Sequence, residues 1–549
     1  MKQYWTEVKS YLSSKRFILP LLFVLMVCYG YSTVNLSLSI DDTEGNRYIG
    51  SGNEMLAAGR LSIVLYAVLG RYVGTLPQSS YVIDLLACLS LLWAAINFCI
   101  LFRRASGGRI PGCAALVFAC TFVSYPLMNE IWEYTGANLV VTMGYLEVSS
   151  ALLILQNALR RDKQRLADYL FAGGLSFLIC AGYESLVSVY VFGVCGALAL
   201  QIVYGSAREK RVKLILRQAL IYAGVLALGL GLRLIFHRLV LFVFQLDFQH
   251  NGDTKILWGT APALVLIRNL ILDWIREYLF RGVIYFPIGE LVVAGVVLFV
   301  LGIIACHRHG WILLIPGFGI YGSLVLISII QGKISPYRTC QVFAVFVAFT
   351  LMMIVTLISN KKNQSKFGFQ TVTFVLCGYL CFCQACYLNY FLVCNHIRSE
   401  EEAHTVRTIG TELQCGFDMD KPVVFVGNYS LSWGIQEAIS VPEDSLRWKM
   451  YQTAYSACYG IMGETYDVNT LSRKIPDTNV NSVINWGVSA FGQEGIQHVF
   501  SFYGFQYVLP DYDQIREAAD LYVEKYDVPC YPQNGYIQDA GEYIVVHLG

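Results

Sequence analysis

Two adjacent aspartates, Asp41 and Asp42, end the first long apolar run, within SLSIDDTEGNRYIGSGNEMLAAGR from Ser37 to Arg60. Glu54 and two arginines, Arg47 and Arg60, follow in the same stretch. Paired carboxylates there admit two readings. A carboxylate within hydrogen-bond reach of a hydroxyl can take its proton as general base while that hydroxyl attacks. The plainer reading is a solvated loop, or a cap for a following helix. The functional reading is the stronger one in a chain so poor in charge. Glu130, Glu133 and Glu184 stand at other loop edges on the same side, and charges at membrane boundaries tend to mark function. The pair could also hold a divalent cation, although two carboxylates alone do not establish one. No other cofactor is indicated.

The candidate cations are Arg338, Lys333 and Arg60. Lys333 and Arg338 lie in QGKISPYRT between two apolar runs, on the side opposite the clusters of basic residues. They could anchor to lipid headgroups or pair with the acids. They could also bind the phosphate of a lipid-linked donor, a contact that suits the planar guanidinium of Arg338. Glu130, in SYPLMNEIWEY, reads equally as part of a polar loop with an interfacial Trp132 and Tyr134 belt. The Tyr183-Glu184 turn joins two apolar runs with almost no loop, which leaves Glu184 little solvent. Together with Glu54 these residues are candidates for positioning substrate.

Other matches fail on context. Gly317, Gly319 and Gly322 spell GxGxxG inside an apolar run with no preceding strand, where close helix packing is the better account. Cys383 and Cys386 have zinc-like spacing but no partner pair. The eight histidines show no ligand spacing, and neither a Walker A sequence nor GxSxG occurs.

These residues need a membrane scaffold. Of the 549 residues 56% are hydrophobic and 14% charged, with mean hydropathy +0.51. A soluble domain runs nearer about 25% charged. The net charge of +1 gives no basis for a nucleic-acid partner. Of the 17 cysteines most sit in apolar runs, and only Cys415, Cys458 and Cys530 fall in the polar C-terminal part, so no disulfide framework is indicated. Taking about 20 apolar residues per span, the runs near 17–38, 81–102, 111–128, 136–156, 167–183, 186–204, 217–243, 289–306, 311–330, 340–358 and 369–394 give about eleven spans. The first reads as a retained span, not a cleaved signal. Residues 59–76 read as an amphipathic helix on the membrane surface, and 261–286 as an interfacial helix.

Basic residues favour cytoplasmic loops. Arg103, Arg104 and Arg109, then Arg160, Arg161, Lys163 and Arg165, then Lys361, Lys362 and Lys366 alternate with acid-bearing loops. This pattern places the N-terminus in the cytoplasm and the Asp41-Asp42 loop outside. The expected fold is mainly α, a membrane domain over 1–394 with a small extracytoplasmic α/β domain over 395–549. In that domain 421–429 reads as a buried strand, 512–526 as an amphipathic helix, and the stretch through Asn534-Gly535 and Ala540-Gly541 as a hairpin.

An apolar first span ending in SIDD resembles the family II glucosyltransferases that modify O-antigen and other cell-surface glycans. So do a Gly-Arg at 59–60 and a Tyr-Pro followed by Glu130. Those are GT-C type enzymes of the bacterial plasma membrane. The resemblance covers roughly 17–394. It implies a sugar, glucose in the name-giving case, carried on a polyprenyl phosphate and transferred, usually with inversion, to a glycan acceptor at the outer face. It maps the base or acceptor-positioning acids onto Asp41 and Asp42. The family often carries Tyr-Gln where this chain has Tyr183-Glu184, which leaves the role of Glu184 open. Two other classes stay in view: a flippase for lipid-linked sugar, whose charges should reach mid-bilayer, and a non-enzymatic envelope protein whose outer domain binds a partner.

Overall fold

The computed structural model describes residues 2–35, 37–38, 52–73, 80–132, 134–161, 165–205, 212–246, 256–283, 285–359, 366–429, 440–462, 484, 492–518 and 523–548. Apolar helices stand at all eleven expected runs: Lys15–Val34, Ser80–Ala105, Gly112–Ser124, Thr135–Arg160, Leu166–Gly182, Leu186–Tyr204, Val212–Phe244, Phe286–His309, Leu314–Gln331, Val342–Ser359 and Lys366–Gly416. Among the described residues, nine helices are long and apolar enough to cross a membrane; Gly112–Ser124 and Leu166–Gly182 are shorter. The chain is a polytopic membrane protein, mainly helical, with one small sheet.

The shortest of the eleven has a local cause. Gly112–Ser124 has 13 residues, which rise roughly 20 Å against a hydrocarbon core of about 30 Å. Pro126 disfavours helical geometry at the residue before it, and Tyr125 is accordingly extended at φ −62° and ψ 123°. The chain then makes a short helix, Met128–Trp132, in which every residue is buried. Irregular backbone is tolerated at such depth only inside protein. Glu130 therefore lies within the protein body and not in the open polar loop that the sequence suggested.

Helix contacts build one bundle. Thr135–Arg160 packs on Ser80–Ala105 and Leu166–Gly182, Val342–Ser359 on Gly112–Ser124, Leu186–Tyr204 on Leu314–Gln331, and the last helix on Lys15–Val34. Phe98, Phe102, Phe118, Phe122, Phe192 and Phe349 interlock at the centre in edge and stacked pairs. Gly319, from the GxGxxG match, lies against Cys195 of the neighbouring helix, as close packing by small residues requires. Leu220, Phe242, Val296 and Val375 point outward, as lipid-facing positions do.

The two ends of the bundle differ. At one, Arg104 donates to Glu7 at 2.8 Å and to Asn157 at 2.8 Å, and Arg161 pairs with Asp168 at 2.6 Å. The acid-bearing turns gather at the other. Leu61–Val73 does not lie across that second end. The Ser62 hydroxyl donates to the Leu178 carbonyl at 2.7 Å, and Tyr66 reaches Glu147, about 18 Å along Thr135–Arg160 from its start. Two buried polar anchors thus draw down a helix expected to rest on the surface. The expected interfacial segment is helical over Ala263–Trp274 and continues as a wider turn, Ile275–Phe280.

Lys366–Gly416 has 51 residues and runs on past the hydrocarbon core. Its C-terminal half buries Val406, Ile409 and Leu413 in a second core with Val423, Phe425, Ile544 and Val546. The strands there are β1 Val423–Val426, β2 Ile537–Asp539 and β3 Ile544–His547, in the order β1-β3-β2. β1 runs parallel to β3, pairing Val424 with Val545, and β2 and β3 form the expected antiparallel hairpin. Lys421 donates to both oxygens of Asp539, at 2.8 and 2.6 Å. That contact, then the Gly541 N–H, holds the Asp539 carboxyl below its usual range. The helix expected over 512–526 is Tyr512–Glu517, closed by an Asp511 capping box, followed by Val523–Tyr526.

Gly229 makes the closest approach to another segment's backbone among the described glycines. A Cβ there would meet the Ser176 backbone carbon at 2.6 Å, whereas Gly231 has nothing within 4 Å. Gly229→Ala should lower unfolding stability in detergent by about 1–3 kcal/mol, and Gly231→Ala should leave it unchanged or raise it by up to about 1 kcal/mol. Thermal unfolding of the two purified variants measures the contrast.

Candidate active site

Asp41 and Asp42 lie outside the described residues, as do Arg47 and Glu133. Glu54 belongs to the short helix Gly52–Ala57, and its side chain is likewise outside the description. What the structure shows is how the chain enters and leaves that segment. On the entering side, the Leu38 N–H donates to the Ser399 hydroxyl at 3.0 Å, and Arg398 donates to the Leu38 carbonyl at 2.6 Å. On the leaving side, Arg60 is half-buried and its backbone N–H donates to the Met55 carbonyl at 2.9 Å. His237 donates from Nε2 to the Ala57 carbonyl at 3.0 Å.

Glu184 follows Tyr183 in the turn expected between two spans. Tyr183 packs half-buried against the bundle core, and Glu184 forms an ion pair with Arg233. Arg233 and His237 share one helix, so Glu184 and the Arg60 turn are tied to the same wall.

Arg338 sits half-buried in the single turn Tyr337–Thr339. Gln341 fixes this turn from below. Its side-chain amide N–H donates to the Arg338 carbonyl, and its Oε1 accepts from the Ser185 hydroxyl. One buried amide therefore joins the Arg338 turn to the Tyr183-Glu184 turn. The helix bearing Glu130 abuts the same Arg338 turn and the last helix. Lys333 lies earlier in the loop, beyond the left-handed Gly332 at φ 71°. The structure thus brings the elements of Glu130, Tyr183, Glu184 and Arg338 together, with Arg60 joined through Arg233 and His237 and Lys333 further along the rim.

The interfacial segment completes this rim. Arg276 pairs with Asp273 and Glu277 at 3.0 Å each, and Arg281 with Glu277. Tyr337 donates to the Glu277 carbonyl at 2.9 Å beneath the Arg281 guanidinium. On its outer side Arg276 lies over the rings of Tyr455 and Tyr459, at 5.1 and 5.5 Å, both from the helix Leu446–Met462. Burial pushes the Tyr455 hydroxyl up, with Arg276 opposing, so the ring meets the cation as a neutral phenol. These charges suggest an interfacial helix when read along the sequence, and the Asp273–Arg276 and Glu277–Arg281 pairings follow ordinary helical spacing, whereas the stacking of Arg276 on Tyr455 and Tyr459 is visible only in three dimensions.

A buried polar chain also escaped the sequence reading. The Ser124 hydroxyl donates to Gln384 Oε1 at 2.7 Å, and Gln384 Nε2 donates to Glu290 at 2.8 Å. Beside it the Tyr125 hydroxyl donates to the Pro287 carbonyl at 2.7 Å. The other Glu290 oxygen has no hydrogen-bond partner among the described residues. Its signal was present, because an ionisable residue inside an apolar run is a functional-site hypothesis by default. Glu147 and Asp84 carry the same signal. Among the described residues no group of three or more His, Cys, Asp or Glu side chains could hold a metal ion.

A bundle of apolar helices with a charged, tyrosine-rich rim at one end defines a polytopic membrane protein. The family model described as Glucosyl transferase GtrII matches residues 30–355, more than half of the chain, and the protein belongs to that family. No curated protein and no solved structure matches the chain. Membership supports glycosyl transfer as the activity, which implies a sugar donor and a glycan acceptor.

Gln384→Leu should cost more stability than Glu290→Gln. The first strands the carboxylate without its donor and Ser124 without its acceptor, at about 1–3 kcal/mol per unsatisfied group. The second leaves Gln384 an acceptor oxygen. Thermal unfolding in detergent of the two variants measures the difference.

Proposed function

We propose that this protein moves a sugar, glucose by family, from a polyprenyl-phosphate donor to a cell-surface glycan, with inversion, at the outer face of a bacterial inner membrane. The N-terminus lies in the cytoplasm, and residues 395–549 form the extracytoplasmic domain beside the membrane domain 1–394. In this reading Asp42 or Asp41 takes the proton of the attacking acceptor hydroxyl. Arg338, with Lys333 and Arg60, binds the donor phosphate and stabilises the charge that grows on it as the glycosidic bond breaks. Glu130, Tyr183 and Glu54 position the sugars. Glu184 contributes through Arg233, which ties the Arg60 turn to the bundle.

The observation that carries the reading is the reach of the family match. Residues 30–355 contain all nine of these positions, from Asp41 to Arg338. The packing of the Glu130 helix against the Arg338 turn supports it as well. A flippase for lipid-linked sugar remains the second reading because of the Tyr66–Glu147 pair, which lies near the middle of Thr135–Arg160, where a transport path would place a carboxylate.

The test is transfer in proteoliposomes. Purified protein receives polyprenyl-phosphate-linked radiolabelled hexose and a cell-wall glycan extract. Wild type should label the glycan. Asp42→Asn or Asp41→Asn should reduce transfer by about 10²–10⁴-fold, and Arg338→Ala by about 10²-fold or more, with expression and insertion unchanged. Full activity in both aspartate variants would remove the base assignment. Label that crosses the bilayer without covalent transfer would establish the flippase instead.

A further inference from the structure

The acid-bearing segment begins three residues after a backbone clamp made by the last helix. Leu38 is held on both sides of its peptide: its N–H by the Ser399 hydroxyl at 3.0 Å, its carbonyl by the Arg398 guanidinium at 2.6 Å. A second guanidinium nitrogen of Arg398 binds Glu402, one turn further along the helix, at 2.7 Å. The Arg398 side chain is 0% exposed and that of Glu402 5%. A cation buried so completely needs both an opposite charge and further acceptors. Here Glu402 supplies the charge and Leu38 the acceptor, through a charge-assisted bond of the stronger kind. The contact spans 360 positions of sequence. Neighbouring contacts brace it: Asn389 donates to the Val27 carbonyl at 3.2 Å, and His396 meets Tyr31 edge to face. The same helix is bolted to the outer core through Val406, Ile409 and Leu413, and Glu401 accepts from the Tyr429 hydroxyl at 2.9 Å.

We propose that Arg398 and Ser399 are positioning residues for the transfer reaction, fixing the backbone at Leu38 from which the chain runs into Asp41 and Asp42. The inference rests on the assignment of the base to that pair. Neither residue touches substrate; a fully buried guanidinium with two protein acceptors is not placed to bind a donor phosphate. Their work is to give the segment that carries the acids a fixed backbone origin at Leu38, and small misplacement of a catalytic group is expensive. The residues that clamp Leu38 therefore lie outside the matched stretch 30–355, where the last helix passes from the bundle into the second core.

Three full-length variants test this in proteoliposomes. Arg398→Met deletes the guanidinium and keeps the stem. Arg398→Lys keeps the charge for Glu402 with a single ammonium. Ser399→Ala removes only the acceptor of the Leu38 N–H. Initial rates give kcat and donor KM, and hydrogen exchange by mass spectrometry follows the peptide containing Leu38 and, as a folding control, the peptide across 401–413. Arg398→Met should lower kcat by about 100-fold and Ser399→Ala by about tenfold, with donor KM within about twofold of wild type. Both should speed exchange at Leu38 and leave 401–413 protected, and Arg398→Lys should recover part of kcat. Wild-type kcat in Ser399→Ala together with faster Leu38 exchange would overturn the proposal, as would lost activity without faster exchange. Where Arg398→Met loses protection across 401–413, Ser399→Ala decides alone. If wild type itself transfers no sugar, the functional reading fails, while the exchange measurement still reports the clamp.

Discussion

Hydrocarbon offers no water to a stranded polar group, and this constraint governs the whole molecule. Each buried donor or acceptor must find a partner inside the protein or cost several kcal/mol. The bundle meets much of it with long-range pairs. Tyr29 donates to the Val123 carbonyl and Tyr145 to the Gln341 carbonyl, each at 2.7 Å. Asn138 pairs with Asp84, and Ser124, Gln384 and Glu290 form a chain across three helices. Between helices in lipid the hydrophobic effect has little left to contribute, so contacts of this kind and close packing set the arrangement. The same requirement explains why irregular backbone appears where it does. Met128–Trp132 and the 337–341 turn interrupt regular spans, and both are packed on protein rather than lipid. Those interruptions are where the candidate charges stand.

Gln341 shows how local satisfaction becomes functional geometry. Its backbone carbonyl, side-chain oxygen and side-chain nitrogen bind three different elements: Tyr145 of a span, Ser185 of the tight turn, and Arg338 of the outer turn. Replacing its side chain would leave the Ser185 hydroxyl and the Arg338 carbonyl to find other partners at once, while the backbone carbonyl keeps Tyr145. The Glu277–Arg281–Tyr337 contacts brace the same turn from the opposite side. Arg338 is thus carried on a rigid turn, a property that favours precise presentation of a charge to a ligand.

Much of this architecture is legible in the amino-acid sequence, and the remainder is not, for a definite reason. Hydropathy reports whether a segment prefers lipid, so helices stand at all eleven apolar runs. Turn chemistry reports hairpins, so the strands around Ala540-Gly541 were readable from glycine alone. The buried strand at 423–426 was readable from VVFV. Neither signal says which segments lie side by side. Glu130 reads as an edge residue of a polar loop until the packing of Met128–Trp132 is seen. Leu61–Val73 reads as a surface helix, because nothing local announces that Ser62 and Tyr66 will find partners at depth. Arg398 and Glu402 have the spacing of an ordinary helix pair, and only the third partner, Leu38, makes them more than that.

The boundary between what defines the family and what completes the molecule follows from the same separation. A family match collects positions that recur in sequence, and here it runs from just before the acid pair to the penultimate apolar helix. Holding those positions in place is a different task, open to any segment that can pack against them. In this chain the last helix, the longest among the described residues, clamps the Leu38 backbone. Its 51 residues cross the bundle and then continue, burying Arg398 beside the first span and Leu413 in the outer core. One continuous helix thus has one half in each core, and through it the core of the sheet is joined to the backbone that leads into Asp41 and Asp42.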